Sequence, residues 1–206
     1  MRLSLLAALV VFANGARGWD SIGEMESDIC KALTNNNYLL SQAFTNQLNV
    51  AINSSSAEMR SEAYMLHSIC SYQIFLDTAD DSWLQTEMFY ATNSILAIGS
   101  SADKWQYWMS RFVYAGACCS VSDYEKSLGV MTNSLRELSA SSYTNGSNVV
   151  ERAILDKFEM ANIGISEAMC IMAGMSAAGL RMGSLATNYA NQVSAPYHNV
   201  ILKFAK

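Results

Sequence analysis

A chain of 206 residues with 51% hydrophobic and 15% charged residues is long enough to bury one core without help from disulfides or metals. That hydrophobic content, together with a single proline, excludes a disordered chain and a loop-rich disulfide scaffold. The formal charge of −5 comes without any run of Lys or Arg, so a nucleic-acid partner or an anionic membrane surface is not expected.

The chain opens on Arg2 and then an apolar run from Leu3 to Ala13, too short to span a bilayer but suited to the core of a signal peptide. Small residues at Ala13, Gly15, Ala16 and Gly18 fit cleavage after Gly15 or Gly18. Residues 1–18 are therefore predicted to be a signal peptide and 19–206 a single all-helical domain, secreted or periplasmic. The richest later apolar segment, Ala168 to Leu180, is bounded by Glu167 and Arg181 and falls short of the roughly 20 residues of a membrane span. No membrane span is expected.

From there apolar residues recur at three- and four-residue steps, with almost no sustained alternation, which predicts an all-α fold of about eight helices. The first helix is marked by Ile22, Met25, Ile29 and Leu33, and the second by Leu40, Phe44, Leu48 and Ile52. The third runs through Met59, Ala63, Leu66 and Cys70 to about Leu76, and the fourth through Leu84, Met88, Ala91, Ile95 and Ile98. Trp105, Trp108, Phe112, Ala115 and Cys119 define the fifth; Tyr124, Leu128, Met131, Leu135 and Leu138 define the sixth. The pattern from Val150 through Ile154, Phe158, Ala161, Ile165, Ala168 and Met172 predicts the longest helix. A last helix is predicted from about Ala177 to Val193, ended by Pro196, with His198 beyond it and exposed.

Capping boxes are predicted at Ser21/Glu24, Ser55/Glu58, Ser82/Gln85 and Ser122/Glu125, with Asn148/Glu151 as a looser match. Short polar linkers at Asn35 to Asn37, Asn53 to Ser56 and Gly99 to Ala102 make successive helices antiparallel neighbours. The linker from Ser139 to Asn148 is the long exception. Thr92-Asn93-Ser94-Ile95, trailed by Ile98, recurs as Thr132-Asn133-Ser134-Leu135, trailed by Leu138, forty residues later. About four antiparallel hairpins in series resemble the tetratricopeptide-like α-solenoids in outline. The thirty-four-residue spacing and the Trp, Gly, Tyr, Ala and Pro positions of that motif are absent, so the expectation is an α-solenoid of that kind or an irregular helical bundle.

Catalytic signatures are lacking: there is no HExxH, GxSxG, Walker or Rossmann pattern, and the chain holds two histidines, His67 and His198. The fifth helix is the most distinctive segment. Trp105, Trp108, Phe112 and Ala115 fill one face, while Tyr107, Arg111 and Tyr114 share another, and Tyr with Arg is the pairing enriched at binding hot spots. If the first helix of each hairpin lines a concave face, Tyr64, His67 and Ser71 join that surface. Met169, Met172 and Met175 beside Cys170 offer soft thioethers of the kind Cu(I) takes, against their ordinary use as core filler. Scattered carboxylates at Glu62, Asp103 and Glu167 are the raw material for acid–base chemistry.

The five cysteines, Cys30, Cys70, Cys118, Cys119 and Cys170, show no CxxC or CxxH spacing. They are read as small buried hydrophobes; the alternative is one or two disulfides between neighbouring helices. Cys118 and Cys119 diverge by about 100° on a helix and cannot bond each other. Asn53-Ser54-Ser55 and Asn145-Gly146-Ser147 are glycosylation sequons for a eukaryotic source. The leading expectation is an exported, non-enzymatic helical module that binds a peptide, protein or glycan on one face through Tyr107, Arg111, Tyr114, Tyr64 and His67, with no cofactor. The alternatives are an exported all-α enzyme with a carboxylate-based site and a Met-rich copper-binding protein.

Overall fold

The computed structural model describes residues 19–34, 45–143, 148–160 and 162–204. The predicted signal peptide, Leu40 and Phe44 of the second helix, and the sequon at Asn145 lie outside the described residues. Among those described there are ten helices and no strand. They are α1 (Ile22–Thr34), α2 (Thr45–Ile52), α3 (Ala57–Thr78), α4 (Ser82–Ile98) and α5 (Trp105–Ser120), followed by α6 (Tyr124–Ala140), α7 (Val149–Lys157), α8 (Ile165–Gly179), α9 (Gly183–Ala190) and α10 (Ala195–Phe204).

The helices pack as a bundle with two kinds of member. One row is formed by α3, α5, α8 and α10, each touching the next. Over each junction of that row lies another helix: α4 on α3 and α5, α6 on α5 and α8, α9 on α8 and α10. The covering helices α4 and α6 each bury one stripe at steps of four, three and four. These stripes are Glu87, Ala91, Ser94 and Ile98 on α4, and Ser127, Met131, Ser134 and Leu138 on α6. The row helices are buried almost all round. Eleven residues of α5 are buried, from Gln106 to Cys118, more than one helical face supplies. The additional cover comes from α1 and α7, which pair with each other and lie on α3 and α5 respectively. Met25, Ile29 and Leu33 of α1 and Val150, Ile154 and Leu155 of α7 are the apolar anchors of that pair.

Where the helices stop differs from the sequence expectation, and one motif explains most of it. The single long helix predicted from Val150 to Met172 is two helices, α7 and α8. Glu159 takes φ 58°, with its N–H donating to Asp156 O at 3.0 Å and the Met160 N–H donating to Leu155 O at 2.9 Å. That two-bond arrangement satisfies the orphan carbonyls of the last turn and turns the chain away. The same arrangement ends α8 at Arg181 (φ 58°), where Met182 N donates to Ala177 O at 2.9 Å, and splits what was predicted as one final helix. It also ends α5 at Ser122 (φ 60°), where Asp123 N donates to Cys118 O at 2.8 Å. Pro196 opens α10 rather than closing its predecessor, because a proline in the first turn sacrifices only an N–H that has no helical partner. His198 accordingly lies inside a helix and is half-buried, with Nδ1 3.0 Å from Ala190 O.

Two of the predicted caps are observed. Ser21 Oγ accepts from Glu24 N at 3.2 Å, and Asn148 Oδ1 accepts from Val150 N and Glu151 N at 2.7 and 3.2 Å. The other three sit one residue away from the expected position or lack a side-chain bond. Ser56, not Ser55, caps α3 by accepting from Met59 N; Asp123, not Ser122, caps α6; Asp81 precedes α4 without a side-chain cap. The five cysteines form no disulfide with one another.

Candidate functional site

The α3–α4 hairpin brings aromatic rings together at its surface. Its register is set by Ser61 on α3, whose Oγ donates to Ser94 O on α4 at 3.0 Å. Antiparallel pairing then carries Tyr64 and His67 to the level of Tyr90. The His67 ring stacks on Tyr90 with centroids 4.5 Å apart and planes 15° apart, and Tyr64 lies 6.2 Å from the same ring. Phe89 meets Tyr90 edge-on at 5.4 Å and leaves 61% of its surface in water. Eleven Å or so further along the same helix face, seven residues on, Leu96 is 71% exposed.

This leaves α4 inverted in polarity at four positions, while Ala91 and Ile98 of the same helix face the core. It turns Glu87 and Ser94 inward, 5% and 0% exposed, and turns Phe89 and Leu96 outward. His67 is itself buried, and burial drives its pKa down to about 4, so its imidazole is neutral at ordinary pH. Its Nε2 has no hydrogen-bond partner among the described residues. The ring therefore acts as a flat support under Tyr90.

The other three predicted residues sit elsewhere. Tyr107 is 7% exposed, and its hydroxyl donates to Glu137 Oε2 on α6 at 2.8 Å. Arg111 lies over the Tyr107 ring with its guanidinium carbon 3.5 Å from the centroid, and Nη1 donates to Tyr107 O at 3.1 Å. Tyr114 is half-buried beside Cys118 and Lys126, and burial pushes its phenol up. Of these three, then, Arg111 and Tyr114 keep part of their surface in water, and Tyr107 belongs to the α5–α6 contact. Tyr64 and His67 are joined not by these but by Phe89 and Tyr90, which sequence reasoning passed over. The signal was present: both fall off the apolar stripe read for the fourth helix, where large rings have no core to fill.

The carboxylates singled out earlier do not meet. Glu62 is buried and accepts from Gln106 Nε2 at 2.6 Å, Asp103 is exposed, and Glu167 accepts from Ser194 N at 2.7 Å. A second buried carboxyl, Glu87, accepts from Ser120 Oγ at 3.3 Å, and burial pushes it up to about 7. Met169 and Met172 are core residues, 0% and 5% exposed, and Met175 is half-buried. Met172 Sδ lies 3.7 Å from Cys119 Sγ. Among the described residues no group of three or more His, Cys, Asp and Glu side chains is arranged to hold a metal ion. Nor is any described helix long and apolar enough to cross a membrane. A cavity lined by Trp19, Ile29, Leu33, Leu48 and Leu66 has a volume of about 20 Å³, the size of a single water. No protein-family model, characterised protein or solved structure matches the chain.

Proposed function

We propose that this chain is an exported, non-enzymatic helical module that binds a peptide, protein or glycan on one face, and that the face is the outer surface of the α3–α4 hairpin. The observation carrying this reading is the local inversion of polarity on α4 at Glu87, Phe89, Ser94 and Leu96. A helix selected for folding alone buries Phe and Leu and solvates Glu; α4 does the reverse at Phe89, Leu96 and Glu87. Large apolar side chains held in water beside a supported aromatic ring, Tyr90 on His67, suit a partner that supplies its own apolar or ring surface. The export half of the reading rests on the Leu3 to Ala13 run and the small residues after it.

The test is selection on the wild-type protein from a displayed peptide library and an immobilised glycan array, repeated with Phe89→Ala/Leu96→Ala. Both side chains are exposed, so the double variant should keep its unfolding midpoint. The expected result is that ligands selected by the wild type lose at least tenfold in affinity, about 1.4 kcal/mol. Unchanged binding by the variant, or no selected ligand at all, overturns the assignment. N-terminal sequencing of the product recovered outside the cell should begin at Ala16 or Trp19.

A further inference from the structure

Glu62 stands on α3 with 1% of its surface exposed. Its Oε1 accepts from Gln106 Nε2 of α5, while Glu62 Oε2 and Gln106 Oε1 are both buried and without a hydrogen-bond partner among the described residues. Two orphan acceptors beside a single bond make a poor arrangement for a carboxylate, because a charge removed from water needs a cation or several donors. The charged and titratable groups facing Glu62 supply neither. They are Glu26 and Cys30 from α1 and Glu58 from its own helix. Lys104 is engaged with Glu58 at 3.8 Å. A protonated carboxyl resolves both orphans together. Its Oε2–H becomes a donor, the carboxamide that already bonds Oε1 carries the unpartnered acceptor Gln106 Oε1, and an acid and a carboxamide are complementary along their whole edges.

We propose that Glu62 is carried as the neutral acid in the folded protein and closes a two-bond ring with Gln106, so that one proton controls the seating of α1 on α3. Losing that proton to solvent leaves a carboxylate with one donor, facing the Glu26 carboxylate on α1. Glu26 is itself tied by Asn148 Nδ2 at 3.0 Å to the start of α7, so the repulsion falls on the joint between the α1–α7 pair and the row beneath it. The direction of the Glu62 titration agrees. Burial is the largest cause and Glu26 and Glu58 add to it, against the Gln106 bond, and the carboxyl is pushed up to about 8.

Two measurements on the full-length mature protein decide the matter. The first is the carboxyl ¹³C titration of Glu62 in the wild type, expected to show a midpoint near 8; a midpoint in the ordinary glutamate range overturns the proposal. The second is amide exchange in α1, corrected for intrinsic rates, in the wild type and Glu62→Gln. The glutamine keeps two complementary edges and carries no charge. Opening of α1 should rise about tenfold per pH unit from pH 6 to 8 in the wild type and stay flat in the variant. Identical pH dependence in both proteins also overturns it. Should Glu62→Gln fail to fold, the titration of the wild type stands as the decisive measurement.

Discussion

Individual side chains on α5 respond according to what they touch. Trp108 is fully buried and donates Nε1 to Ala102 O at 3.1 Å, so Trp108→Ala removes a core ring and takes that donor from the half-buried Ala102 carbonyl. It should cost about 3–5 kcal/mol, read as a large fall in the unfolding midpoint. Arg111 touches the ring and carbonyl of Tyr107 within its own helix and keeps part of its surface wet. Arg111→Ala should therefore cost about 1 kcal/mol or less. Comparable losses in the two variants would show that Arg111 is part of the fold. Gly179 offers a sharper case, since a Cβ there would lie 2.7 Å from Cγ and Cδ2 of the Tyr124 ring. A ring has no flexible end to yield, and Gly179→Ala should destabilise by roughly 1–3 kcal/mol in denaturant unfolding despite its gain in helix propensity.

At the level of elements, periodicity located the helices well but not their ends. The stripes read at Met25/Ile29/Leu33 and Trp108/Phe112/Ala115 are the buried faces observed. The stops after Lys157 and Gly179 were illegible because Glu159 and Arg181 adopt the left-handed conformation that glycine usually announces. Composition gives no warning when an acid and an arginine do glycine's job. That conformation costs a side chain about 1 kcal/mol or more, so Glu159→Gly and Arg181→Gly should each raise stability by roughly 0.5–1 kcal/mol in chemical unfolding. Loss of stability in both would mean that their side chains make contacts outweighing the strain. Ser56→Ala should cost about 1 kcal/mol and Ser55→Ala almost nothing, because only the former accepts a bond from the first turn of α3.

For the molecule as a whole, buried ionisable groups set the pH range in which it is most stable. Glu62 and Glu87 ionise at about 4.5 when unfolded but at about 8 and 7 when folded. Each therefore contributes stability that is complete below pH 4.5 and is lost as pH rises, at about 1.4 kcal/mol per unit until its folded value is reached. His67 acts oppositely. Its pKa falls from 6.5 to about 4, so its contribution is present above pH 6.5 and lost as pH falls. With two groups against one, stability should peak near pH 4.5 and fall most steeply between about 6.5 and 7, as thermal melts across pH will show. Glu87→Gln should flatten the descent up to pH 7 and leave the remainder. A profile rising toward alkaline pH would contradict the burial of these carboxyls. Of the candidate site, Tyr64 and His67 were legible from their helix, but their partners Tyr90 and Phe89 were not. Side-chain pairing across a hairpin depends on register, and register here is set by the Ser61–Ser94 contact, which no spacing along one helix displays.

The union of α1 with α7 has a consequence for the order in which the chain can assemble. The bond from Asn148 to Glu26 joins residues 122 apart in sequence, whereas α3 packs on α4, α4 on α5 and α5 on α6. Local hairpins close early, and a contact of such long separation waits for everything between. On the ribosome, α1 emerges first among the described helices and can touch α3 early, but its main partner, α7, follows only after α6. In refolding with pulsed hydrogen labelling, the amides of α1 should accordingly gain protection after those of α3 to α6, and the two ends of that strap should gain it together.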